Sequence, residues 1–62
     1  MITDTTKKKQ YIRIADEANR EAIRNRAAAK QCSDPKARKL FTGHAKGYAK
    51  MAREYRKKAR EI

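Results

Sequence analysis

Six cations make the plainest chemical pattern in this chain: Lys39, Lys46, Lys50, Arg53, Lys57 and Arg60, at steps of seven, four, three, four and three. On a helix such steps keep side chains on one side. A line of unpaired ammonium and guanidinium groups can follow a phosphate backbone and release its counterions. The chemistry implied is electrostatic recognition, with no bond made or broken.

No residue set in the sequence suits catalysis. His44 is the sole His and Cys32 the sole Cys. Acid–base work needs a positioned partner, and none is spaced to reach His44. A metal site needs several His, Cys or carboxylate ligands, so Cys32 and His44 alone do not make one. No glycine-rich phosphate loop is present. The expectation is a chain that is not an enzyme and takes neither metal nor cofactor. A lone cysteine makes no intrachain disulfide, so nothing points to an oxidising compartment. No apolar run approaches a membrane span, and no signal-peptide core follows Met1. A cytoplasmic or nuclear location, without membrane insertion, is expected.

Charge dominates the composition. Eighteen Lys and Arg face seven Asp and Glu, for a net of +11. That balance speaks to partners and association rates more than to fold. The charge is also uneven. From Asp34 onward ten basic residues face three acidic ones, a net of +7. Residues 1–33 hold eight basic and four acidic, a net of +4. In that first half Asp16, Glu17 and Glu21 fall three or four places from Arg13, Arg20 and Arg24, where local pairing is favoured. Lys7, Lys8, Lys9, Arg20, Arg24 and Arg26 are the cations expected to assist the main line.

The elements that must hold these cations are helical. The 62 residues allow one small domain with a thin core. There is no Trp and one Phe, and alanine supplies much of the apolar content. Residues 1–9 read as a flexible basic arm, since Thr3, Asp4, Thr5 and Thr6 favour caps and turns. From about residue 10 to 32, Tyr11, Ala15, Ala18, Ala22, Ala29 and Cys32 recur at helical steps, with Asn25 in the gap. Ser33-Asp34-Pro35 punctuates the chain, with Asp34 as N-cap and Pro35 at the first helical position. A second helix over about 35–61 places Ala37, Leu40, Phe41, His44, Tyr48, Met51, Ala52, Tyr55, Ala59 and Ile62 on its packing side. Gly43 and Gly47 each cost about 1 kcal/mol against Ala in a helix interior, which points to close approach of the first helix. So short a link predicts an all-α fold, an antiparallel two-helix hairpin over residues 10–62.

Two stretches resemble known families. Asn25, Ala28, Ala29 and Cys32 sit at the spacings of the base-contacting residues in the basic region of leucine-zipper transcription factors. That family's Arg after the Cys position is Ser33 here, Asp34-Pro35 interrupts the helix, and no leucine heptads follow. The hairpin reading assigns Asn25, Ala29 and Cys32 to packing instead. From Tyr11 to Ile62 the chain resembles the helical segment that precedes Smr nuclease domains. Ala37, Leu40, Gly43 or Gly47, His44, Met51, Ala59 and Ile62 echo its order. The Gly and His spacings differ, the first helix is about two turns shorter, and the 62 residues contain no Smr domain. This resemblance implies a helical hairpin attached to nucleic-acid processing, without the catalytic part.

The function expected is nucleic-acid binding, to DNA or RNA, through phosphates and with little sequence preference. Tyr11, Tyr48 and Tyr55 are expected in the core rather than stacked on bases. The rival expectation is a small inhibitor or adaptor that docks onto an acidic surface of a larger protein, as small phage-encoded proteins do. Ile12 and Ile23 favour it, because they lie off the packing stripe and would stand exposed as a protein interface. The thin core and these two residues also predict self-association, with a homodimer completing the fold.

Overall fold

Thr3 starts the first helix. In a computed structural model of the chain, which describes residues 3–62, its hydroxyl oxygen accepts from the Thr6 amide at 3.2 Å. That bond satisfies one of the free N–H groups at a helix start. Helix α1 then runs Asp4–Gln31, with Asp4 in the first turn, where an acid complements the helix dipole. The expected flexible arm is therefore corrected: residues 4–9, including Lys7, Lys8 and Lys9, are helical. Met1 and Ile2 of that arm lie outside the described residues. The physical reason is that lysine is a good helix former once a cap supplies the nucleus.

The helix stops where Pro35 requires. Cys32 is extended (φ −84°, ψ 126°) and Asp34 caps helix α2, Pro35–Arg60, by accepting from the Lys36 amide at 3.1 Å. Arg38 closes the corner. Its Nε and Nη2 donate to the Cys32 carbonyl at 3.2 and 2.8 Å, meeting a carbonyl left free at the end of α1. The chain reverses within three residues, and the two helices pack antiparallel as a rod 49 × 14 × 13 Å.

The core is a seam of methyl groups. Every buried residue among those described is alanine: Ala15, Ala18, Ala22 and Ala29 on α1, and Ala45, Ala52 and Ala59 on α2. On α1 the half-buried Tyr11, Asn25 and Cys32 extend the alternating four-and-three steps, as the sequence predicts. On α2, half-buried Phe41, Tyr48 and Tyr55 alternate with the three alanines. Such heptad spacing keeps one seam facing its neighbour over the whole length.

The packing side of α2 is rotated from the expected one. Ala45, omitted from the predicted stripe, is buried, whereas Leu40, His44, Met51 and Ile62 are exposed. Hydropathy draws a helical wheel toward its largest apolar residues. Here the separation of the helices is set by the smallest ones. Gly43 and Gly47 likewise do not mark close approach of α1, because a Cβ at either position would meet nothing within 4 Å.

Candidate nucleic-acid interface

In an antiparallel pair, the residue after each seam position points to the same broad side of both helices. On α1 these positions include Ile12, Asp16, Asn19, Ile23, Arg26 and Lys30. On α2 they include Thr42, Lys46, Ala49, Arg53, Arg56 and Arg60. Alanine leaves the seam shallow, so the long side chains stand as banks over a trough. Three consecutive grooves follow it. Near the link, Arg26, Lys30, Arg38 and Lys46 surround Ala29 and Ala45. In the middle, Arg26, Lys46, Arg53 and Arg56 surround Ala49 and Ala52. At the open end, Lys8, Arg53, Arg56, Lys57 and Arg60 stand around Ala59 and Ile12, with Glu54 at the margin.

Nine cations thus border the trough, drawn from both helices. Asp16 is the acid on the α1 bank, and Arg56 Nη2 lies 3.7 Å from its Oδ1. From Arg38 to Arg60 the α2 bank covers roughly 33 Å at 1.5 Å per residue. One turn of a B-form duplex is about 34 Å.

The expected site residues divide. Lys46, Arg53, Lys57, Arg60, Lys8 and Arg26 border the trough. Lys50 is exposed on the outer ridge of α2, and Lys39 is exposed one heptad before Lys46, in a groove with Arg38, Thr42, Gly43 and Lys46. Lys9 and Arg20 lie with Arg13 on the outer side of α1. Lys7 is exposed in the first turns. Arg24 is held by Glu21 at 2.8 Å. The local pairings expected for Asp16 and Glu17 are not among the ion pairs of the described residues, since Asp16 turns across the trough to Arg56.

Lys30, Arg38 and Arg56 were not expected at the site. Their signal is their phase against the alanine seam: Arg56 falls on the same bank as Lys46, Arg53 and Arg60, and Arg38 falls at the link end of the row that Ala45, Ala52 and Ala59 mark as the inside. Ile12 and Ile23 are exposed, as expected, but on the same side as the cations.

Several polar residues away from the trough have structural partners. Asn25 Nδ2 donates to the Glu21 carbonyl at 2.8 Å within α1, and Ala29 is buried, so these two of the positions shared with zipper basic regions serve the seam. Tyr11 and Tyr55 meet across the open end with ring centroids 5.8 Å apart, and Lys58 Nζ lies 4.9 Å from the Tyr55 centroid. Among the described residues no three His, Cys, Asp or Glu group together as metal ligands. No helix among them is long and apolar enough to cross a membrane.

No protein-family model, curated protein or solved structure matches the chain.

Proposed function

We propose that this chain is a non-catalytic nucleic-acid-binding module whose contact surface is the trough between the helices. The observation that carries this reading is the convergence of cations from both helices on one side, over a floor of alanine. Phosphates could sit above that floor with guanidinium and ammonium groups on either hand, forming charge-assisted hydrogen bonds. The major groove of B-DNA is about 12 Å wide, and one helix with its side chains nearly fills it. Two helices side by side are too broad to enter, so binding is to backbone rather than to base edges. The resemblance to the segment before Smr nuclease domains supports the same class of partner.

Salt titration and charge reversal test the reading. Each phosphate neutralised on duplex DNA contributes a slope of roughly −0.9 in log K against log salt, so six contacts give about −5. Arg26, Arg53 and Arg60 changed together to Glu abolish binding while the helix content stays close to wild type. Arg13, Arg20 and Arg24 changed to Glu, on the outer side of α1, weaken it much less. Equal binding of duplex DNA and structured RNA by the trough variant and the wild type would refute the assignment.

Ile12 and Ile23 favour a second reading, an inhibitor or adaptor docking on an acidic protein surface. Exposed isoleucines beside cations suit such a surface better than they suit phosphates. Affinity purification from the native cell separates the two: partners lost with nuclease support the first, and a stoichiometric protein that survives nuclease supports the second.

A further inference from the structure

The side of the hairpin opposite the trough has a different character. Leu40 and Met51 on α2 are 64% and 40% exposed, and Ile14 on α1 is 36% exposed. Along α2, Leu40, His44, Gly47 and Met51 follow steps of four, three and four, a second heptad row beside the buried one. Among the described residues nothing covers this row, and the space over Gly47 is open. Charge is thin here too. The α1 half of this side carries Glu17 and Glu21, with Arg24 held by Glu21, and Lys58 stands over Tyr55 at its open end, while nine cations border the other side. A second copy, repelled elsewhere by a chain of net +11, can approach on this side.

The rod shape leaves more surface exposed than a compact fold of this mass would. The chain exposes 5255 Å². A compact monomer of 7.2 kDa exposes about 4100 Å². The excess, about 1100 Å², is spread over the whole rod; pairing two rods side by side reduces it, and a standard stable interface buries roughly 800 Å² on each partner. The row also meets the demand of a two-fold interface, that one patch complement itself. Leu40 and Met51 stand roughly 16 Å apart along the helix, on either side of the midpoint between His44 and Gly47. A two-fold axis through that midpoint sets Leu40 on Met51 of the second copy.

We infer that the Leu40–His44–Gly47–Met51 side is the interface of a homodimer, a four-helix assembly with a basic trough on each outer face. The interface differs from the Ile12 and Ile23 surface that the sequence alone suggests. It is also independent of what the troughs bind.

Sedimentation velocity of the full chain, without nucleic acid and over a wide concentration range, tests the inference. The wild type is expected to sediment as a dimer and dissociate on dilution. Leu40→Glu with Met51→Glu weakens the dimer by at least roughly 100-fold, as loss of two buried apolar side chains on each copy implies. Both residues are exposed in the hairpin, so circular dichroism should report unchanged helix content. Ile12→Glu with Ile23→Glu leaves the dimer intact. A wild type that is monomeric at every concentration overturns the inference. So does a dimer that responds to the Ile12 and Ile23 changes and ignores those at Leu40 and Met51. If the wild type stays monomeric yet binds phosphatidylglycerol vesicles through Leu40 and Met51, the occupant is a lipid surface, and the dimer is equally overturned.

Discussion

Arg56 reaches from α2 across the alanine trough to Asp16 on α1, its Nη2 3.7 Å from the carboxylate. Both side chains are about half exposed, so the pair contributes within about 1 kcal/mol to stability. Its larger effect is on the field, because Asp16 places a negative charge on a trough that nine cations border. Asp16→Asn is therefore expected to raise affinity for a labelled duplex by about threefold to fivefold, the value of one unit charge at several ångströms in water. Fluorescence anisotropy reads this directly. A fall in affinity would mean that Asp16 orients Arg56 for binding.

At its buried positions the seam holds nothing larger than a methyl group. Ala22 is 1% exposed and faces α2. Ala22→Leu should cost about 1–3 kcal/mol or more, as overpacking forces the helices apart. Ala27 is exposed on the same helix, and Ala27→Leu should change stability by less than about 0.5 kcal/mol. Urea unfolding followed by circular dichroism compares the two. Equal effects would show that the helices are not held at alanine distance.

Gly43→Ala is expected to stabilise the hairpin by about 1 kcal/mol. Its backbone has no positive φ, and a Cβ there meets nothing within 4 Å. The change removes unfolded-state freedom and improves helix propensity. A raised urea midpoint with unchanged slope is the expected signature. A loss of stability would place an unseen contact over Gly43.

The open end depends on Tyr55. Its ring is half-buried, meets Tyr11 at 5.8 Å and lies under Lys58. Tyr55→Ala should cost about 2 kcal/mol, from lost apolar area together with the aromatic pair. Amide exchange should accelerate first around Tyr11 and Ala59, with the Cys32–Arg38 corner least affected. Uniform acceleration would mean the hairpin opens only as a whole.

Much of this architecture is legible in the sequence. Asp34-Pro35 marks the reversal because proline constrains the residue before it and lacks an amide that a helix start does not need. The α1 stripe is readable because alanine recurs at 15, 18, 22 and 29, with only Asn25 breaking the series. The α2 seam is harder to read. Leu40 and Met51 dominate its hydropathy, yet neither fits between helices this close, and Ala45 carries little weight on any apolar scale. Setting α2 wrongly by about one residue is what hid Arg38 and Arg56, whose place depends on that phase. The early start of α1 was hidden for another reason. Thr3 to Thr6 serve equally as turn residues and as a cap, and only the bond from the Thr6 amide to Thr3 decides between them.

Filling every buried position with one residue type has a consequence for alignment. Sliding one helix past the other by two turns, about 10 Å, would again lay alanine on alanine along much of its length. The methyl groups therefore hold the helices together without stating which level belongs opposite which. That information resides in the features that occur once: the three-residue link, the Arg38 clamp on the Cys32 carbonyl, and the Tyr11–Tyr55 pair. Lengthening the link with flexible residues would free the helices to shift against each other, and the cations on the two banks would lose their facing partners without the loss of a single core methyl group.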